Sequence, residues 1–186
     1  GWGGNDAEAI NVKIKFPSTA QYEMTALLGR SGLKNKQNEF DVSFEFDTDA
    51  DRIYVCDFAG RPVQADYITA LLVQDKIRFW SKPKVVYDLR FSRGVLEKFS
   101  KWGVKTIHSR AGRAFMRGNM VKHRADIGGE ISGHIYFKKV NYNEMPFLVM
   151  LRLLKIINKS GKNIRELTEQ FKTWFNSGEV NIPIAK

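Results

Sequence analysis

Between Lys84 and His108 the chain switches twice between strand and helix character, and that rhythm constrains the fold more than any other stretch. Lys84 to Leu89 reads as an apolar strand, Arg93 to Trp102 sets Val95, Leu96 and Phe99 on one helical face, and Val104 to His108 is strand-like again. Gly103 ends the helix between them. Two strands joined through a helix lie parallel in one sheet with a right-handed crossover. The expected class is therefore α/β, with mixed, mostly parallel sheets flanked by helices. A chain of 186 residues holds one large domain or two small ones and buries roughly 70% of its unfolded surface.

The remaining elements follow from shorter signals. Ile10 to Lys15 alternates like a strand, and a helix is expected from near Thr19 until Gly29-Arg30-Ser31-Gly32 breaks it. Phe40 to Phe46 alternates apolar with polar residues, and Ile53 to Phe58 and Arg61 to Val63 face each other across Ala59-Gly60 as a hairpin. Asp66 is placed to cap a helix running to about Trp80, which Pro83 ends. Glu144 to Asn158 reads as an amphipathic helix closed by Ser160-Gly161, and Asn163 caps a shorter one reaching Lys172. Glu179 to Ile184 is a last strand-like piece.

Six carboxylates and no basic residue occupy the thirteen positions from Glu39 to Asp51, although the chain carries a net charge of +10. The densest part, Asp47-Thr48-Asp49-Ala50-Asp51-Arg52, falls between two strand-like segments and so forms a tight loop. Alternate aspartates repel unless solvent screens them or a divalent cation sits among them. Mg²⁺ suits the second case, because it takes few carboxylates and keeps positions for water or a phosphate oxygen. Arg52 is then next in line to meet that phosphate. A calcium EF-hand loop needs Gly at its sixth position and Glu at its twelfth, where this chain has Arg52 and Phe58. A solvated acidic turn remains the alternative.

A second constellation, Gly128-Gly129-Glu130-Ile131-Ser132-Gly133-His134, puts a carboxylate, a hydroxyl and an imidazole in a glycine-rich turn ahead of the apolar Ile135-Tyr136-Phe137. In an extended loop Glu130 and Ser132 point the same way and can hold vicinal hydroxyls. The competing reading is a plain hairpin whose glycines supply positive φ angles.

Lys and Arg recur from Lys82 to Arg124, a distribution that suits phosphate-bearing ligands or nucleic acid; with no nucleic-acid recognition motif, nucleic acid ranks last among partners. Cys56 stands alone, which excludes an intrachain disulfide and favours a reducing, cytoplasmic setting. The longest apolar run, Pro146 to Leu151, is far short of the roughly 20 residues of a membrane helix, so no membrane span is expected. Gly1-Trp2-Gly3-Gly4 has neither an initiating methionine nor signal-peptide character and reads as a cut or engineered junction.

In order and spacing, the two constellations together resemble those of the phosphohexomutases, the phosphomannomutase and phosphoglucomutase family. Asp47-Thr48-Asp49-Ala50-Asp51-Arg52 is similar to the family's Asp-Gly-Asp-x-Asp-Arg metal loop, and Gly129-Glu130-Ile131-Ser132-Gly133-His134 to its Gly-Glu-x-Ser-Gly-His sugar loop. Val86 to Arg93 resembles the strand and turn opening the family's third domain, and Ser177 to Ile182 the segment linking it to the fourth.

The resemblance implies one incomplete and one complete phosphohexomutase-like domain. Residues 1–64 would carry the metal loop as part of a second domain, 65–160 the sugar loop as the third, and 161–186 a connector toward a fourth. It implies Mg²⁺ on Asp47, Asp49 and Asp51, Arg52 as the catalytic residue steadying a phosphoryl group, and substrate contacts from Glu130, Ser132, His134, Arg90 and Arg113. The implied partner is a hexose phosphate, and the mutase domains not represented here would be supplied by another chain unless these residues are a fragment or a degenerate homologue.

Three positions depart from the family pattern. Thr48 replaces a glycine, Arg113 in Gly112-Arg113-Ala114 replaces the histidine of a Gly-His-Ser turn, and Arg90 replaces lysine. The family's phosphoserine motif, Ser-His-Asn-Pro, has no match in these residues, so no turnover is expected from them alone. The second reading is accordingly a non-catalytic binder of phosphosugar or polyanion.

Overall fold

The computed structural model describes residues 41–175, together with the backbone of two strands, β1 (Ile10–Lys15) and β2 (Glu23–Leu28). The strand expected at Glu179 to Ile184 lies outside the described residues. β3 (Val42–Phe46), β4 (Ile53–Asp57) and β5 (Pro62–Val63) complete an antiparallel sheet in the order β2-β1-β3-β4-β5. The helix expected from near Thr19 is corrected here. Glu23–Leu28 pairs with Ile10–Lys15 residue for residue, and a ladder along the whole strand overrides a weak local helix preference.

Val42, Phe44 and Phe46 are fully buried, as the alternating pattern predicts, and Ile53 and Val55 join them from β4. The expected hairpin closes on Asp57. Its carboxylate accepts from the N–H groups of Ala59 and Arg61 at 2.9 Å each, and Gly60 takes a φ of 71° in the turn.

α1 (Ala65–Lys76) follows directly, with a 3₁₀ turn over Ile77–Phe79. Asp66 is not its cap. Gln64 holds that position without a side-chain bond, while Asp66 is fully buried and accepts from Tyr67 N–H at 2.9 Å and Ser92 N–H at 2.8 Å. Every residue from Asp66 to Val73 is buried, as befits a helix enclosed on all sides.

The second sheet contains β6 (Lys84–Asp88), β7 (Lys105–Ser109), β8 (Ile127–Gly129), β9 (Ile135–Phe137) and β10 (Asn143–Glu144), ordered β10-β9-β8-β6-β7. Parallel pairing is confined to β6 with β7 and with β8; the other two ladders are antiparallel. The α/β class with helix-flanked sheets thus stands as expected, while among the described strands the parallel pairing is limited to the β7-β6-β8 centre of the second sheet. α2 (Arg93–Lys101) links β6 to β7, and α3 (Arg113–His123) links β7 to β8.

Successive residues of β6 face opposite layers. Val85 joins the large core with Val95 and Phe99 of α2, whereas Val86 packs under Met116 and Met120 of α3. The large core continues through α1 and α4 (Pro146–Ser160) to the inner face of the first sheet. Gly161 closes α4 at a φ of 65°, and Asn163 forms a capping box with Glu166 on α5 (Ile164–Thr168). No helix among the described residues is long and apolar enough to cross a membrane.

Candidate functional site

β6 sends its connection to one side, and the next crossover returns across it to β8, so the C-terminal ends of β6 and β8 flank the point where the winding reverses. Crevices for ligands form at such points in α/β sheets. Asp88 ends β6 there, Glu130 follows β8, and Gly112 precedes α3.

Asp88 is fully buried and organises its neighbours. It accepts from Arg90 N–H at 2.7 Å, from the Arg90 guanidinium at 3.0 Å and, in the loop after β8, from Ile131 N–H at 2.8 Å. Arg90 is therefore folded back on Asp88 and linked through it to the loop that carries Glu130. The sequence reasoning missed Asp88, although a carboxylate at the C-terminal end of a parallel strand was the available signal.

Residues 130–134 form a tight turn, correcting the extended loop expected there. Glu130 N–H donates to the His134 carbonyl at 3.0 Å, Gly133 N–H donates to the Glu130 carbonyl at 3.1 Å, and Gly133 has a φ of 99°. Gly128 and Gly129 sit in β8 for packing. A Cβ on Gly128 would lie 2.6 Å from the Met120 sulfur, and one on Gly129 would lie 2.5 Å from Thr69 Oγ1.

Glu130 is 1% exposed and points into the protein. Its oxygens accept from Gly112 N–H at 2.5 Å and Tyr136 O–H at 2.8 Å, and His134 Nδ1 lies 3.2 Å away. Ser132 Oγ reaches the same imidazole nitrogen at 3.0 Å, so the two residues converge on His134. Burial opposes charge on Glu130, but the bonds from His134, Gly112 and Tyr136 outweigh it and hold its carboxyl below the ordinary range. Burial likewise opposes a charged His134, yet Glu130 and Asp51 outweigh it and raise its pKa. Tyr136 is pushed up by burial and by the Glu130 carboxylate.

The acidic loop leaves the β3–β4 hairpin and meets this turn directly. Ile53 N–H donates to the Gly133 carbonyl at 3.2 Å, and His134 Nε2 lies 3.4 Å from Asp51. Asp47 accepts Arg52 N–H at 3.1 Å and Arg52 Nε at 2.5 Å. Partial burial raises the Asp47 pKa, but these bonds prevail and lower it overall. Asp51 goes the other way: burial raises it, His134 lowers it, and the carboxylates of Asp47, Asp49 and Glu144 raise it further. The positive φ demanded by the loop falls on Ala50, at 52°, and not on Thr48, where the family's glycine suggested it.

One oxygen from each of Asp47, Asp49 and Asp51 lies within 4.8 Å of the others. Oxygens opposite one another in a Mg²⁺ octahedron are about 4.2 Å apart, so a small side-chain adjustment closes the set, and all three are the hard donors that ion takes. The residues present fit a magnesium-type ion.

Arg113 opens α3 beside Gly112 and pairs through Nη2 with Glu144 Oε2 at 3.1 Å. Glu144 was also missed; the two-residue strand that carries it has no periodicity to reveal it. All the candidate residues thus belong to one connected network, with Arg90 joined through Asp88 and Arg113 through Gly112 and Glu130.

Residues 64–174 match the family model of the phosphoglucomutase/phosphomannomutase alpha/beta/alpha domain III. The chain belongs to the phosphohexomutase family. Among relatives of this family, a phosphomannomutase of Methanocaldococcus jannaschii is 35% identical over 180 residues, covering 97% of this chain and 39% of that protein. A phosphomannomutase of Escherichia coli is 29% identical over 147 residues, covering 78% of this chain and 32% of that protein. The chain therefore spans about two fifths or less of the length of these phosphohexomutases.

Solved structures share the fold. A phosphoglucomutase/phosphomannomutase family protein of Burkholderia thailandensis superposes with a TM-score of 0.64 at 23% identity, over 70% of this chain and 29% of that one. The Aspergillus fumigatus N-acetylphosphoglucosamine mutase, in complex with GlcNAc-6P and magnesium, gives 0.59 at 18% identity, over 76% and 35%.

Proposed function

We propose that this chain is the central metal- and sugar-binding portion of a phosphohexomutase, an isomerase that moves a phosphoryl group within a hexose phosphate. The contact between the two loops is the observation that carries this reading. His134 spans Asp51 and Glu130, and Ile53 bonds to Gly133, although the loops lie some eighty positions apart in sequence. Two motifs with unrelated tasks have no reason to share one imidazole. The Aspergillus relative, solved with GlcNAc-6P and magnesium, supports the same substrate class and ion.

Asp47, Asp49 and Asp51 would hold Mg²⁺, which when bound neutralises charge on a transferring phosphoryl group. Arg52, already oriented by Asp47, steadies that group with its remaining donors. Ser132 and His134 meet sugar hydroxyls at the mouth of the turn, and Glu130 fixes the turn from beneath while keeping lone pairs for a hydroxyl donor. Arg90 and Arg113 attract phosphate, each offering a planar fork of donors. The phosphoserine and the phosphate grip of the full cycle would come from further mutase domains. The lone buried Cys56 favours a reducing cytoplasm.

Calorimetric titration with Mg²⁺, with and without glucose 6-phosphate, tests the assignment. Each ligand should tighten binding of the other; a chain that ignores both defeats the proposal. Purified on its own, the 186-residue chain should convert no hexose 1-phosphate to the 6-phosphate. Detectable conversion would overturn the reading of a portion that lacks its nucleophile.

A further inference from the structure

Glu144 is a strongly buried carboxylate near the site that has no task in the reading above. Its side chain is 3% exposed, and Oε1 is buried without a hydrogen-bond partner among the described residues. Oε2 forms an ion pair with Arg113 Nη2, and the Tyr136 hydroxyl, already given to Glu130, lies beside the carboxylate. A buried charge is ordinarily surrounded by donors, as Glu130 is two strands away in the same sheet, so a half-satisfied carboxylate implies a constraint other than stability.

The two partners differ in mobility. Glu144 is fixed by the β9–β10 ladder, where it pairs with Tyr136, the residue whose hydroxyl bonds Glu130. Arg113 is 58% exposed at the start of α3 and touches Glu144 through one terminal nitrogen. A guanidinium has five donors in a rigid plane, so anchoring one end leaves the rest of the fork aimed outward. Free of its anchor, a side chain this exposed would sample many rotamers and lose entropy on meeting an anion.

We propose that Glu144 is a positioning residue that pre-orients the Arg113 guanidinium for the phosphate of a bound hexose phosphate. The proposal rests on the mutase-like reading for its ligand, but the anchor itself does not depend on that reading. Arg113 contributes a donor plane held ready beside the turn that carries Glu130 and Ser132. Glu144 never touches the ligand, and its unpartnered oxygen is the cost of holding a cation from one side.

The test is a double-mutant cycle read by calorimetry with glucose 6-phosphate on the 186-residue chain. Glu144→Gln and Arg113→Ala should each weaken binding about tenfold, and the double variant should be no weaker than Arg113→Ala alone. Mg²⁺ affinity should stay within about twofold in all of them, which a general collapse of the site would not allow. Losses that multiply in the double variant, or an unchanged affinity in Glu144→Gln, would overturn the proposal.

A second readout needs neither ligand nor variant. In the unmodified chain, ¹⁵N relaxation of Arg113 Nε should show a rigid side chain despite its exposure, and Arg113 moving as freely as exposed Arg117 refutes the anchor. If the chain ignores glucose 6-phosphate while Arg113 Nε is rigid, the ligand assignment fails and the anchor stands.

Discussion

Asp49 and Glu130 lie in loops that touch, yet Asp49 is exposed and Glu130 is 1% exposed. Glu130 has its charge met inside the protein, by Gly112, Tyr136 and His134. Among the described residues the acidic loop has Arg52 and His134 against three aspartates, so much of its repulsion is left for solvent or an ion. One loop is completed by folding, and under the proposed function the other is completed by binding. A carboxylate therefore carries opposite expectations in the two loops.

Glu130→Gln attacks the loop that folding completes. A glutamine turns an acceptor into an amide donor facing other donors, so unfolding free energy in urea should fall by about 3 kcal/mol. Asp49→Asn attacks the other loop. Mg²⁺ affinity should fall at least about a hundredfold, while the denaturation midpoint stays or rises because a repelling charge is gone. A stability loss in Asp49→Asn matching that of Glu130→Gln would erase the contrast between the loops.

Gly133→Ala probes the seam between them. The added Cβ would stand 2.9 Å from the Ile53 carbonyl oxygen at a φ of 99°, where alanine is strained. A loss of about 2 kcal/mol in urea is expected, together with weaker Mg²⁺ binding if the seam aligns the acidic loop. Intact metal affinity would show that the hairpin holds its aspartates without help.

Local patterns made most of this legible. Alternation in Phe40 to Phe46 exposed a hairpin edge, and three aspartates at alternate positions marked the loop in which their carboxylates come together. The helical faces of α2 and α4 were equally plain. What stayed hidden depends on contacts distant in sequence: Asp66 bonds Ser92, Asp88 bonds Ile131, and Gly112 bonds Glu130. Asp66 has the residue type and place of a helix cap, and only the β6–α2 turn arriving above it redirects its carboxylate. The glycines of β8 were misread in a similar way: they supply no positive φ but make room for Met120 and Thr69, contacts distant in sequence.

Acid separates the loops most gently, and in opposite senses. Glu130 has a folded-state pKa below its ordinary 4.5, so its contribution is fully present above 4.5 and is lost as pH falls through the lowered value. Asp51 has a folded-state pKa above its ordinary 3.8, so its ionised form opposes folding at neutral pH, and that penalty is relieved as pH falls through the raised value toward 3.8. Urea midpoints without divalent cations, followed downward from neutral pH, should therefore rise as Asp51 protonates and fall as Glu130 does. In Asp51→Asn the rise should shrink, because that relief is gone. In Glu130→Gln the final drop should shrink, leaving the parts that come from Asp47 and Asp57, whose carboxyls are lowered against their burial, the first by bonds from Arg52 and the second by bonds from Arg165, Arg61 and Ala59. Identical acid profiles for the two variants would mean that the loops titrate as one charge cluster, which the shared His134 makes the sharpest rival to a division of labour between them.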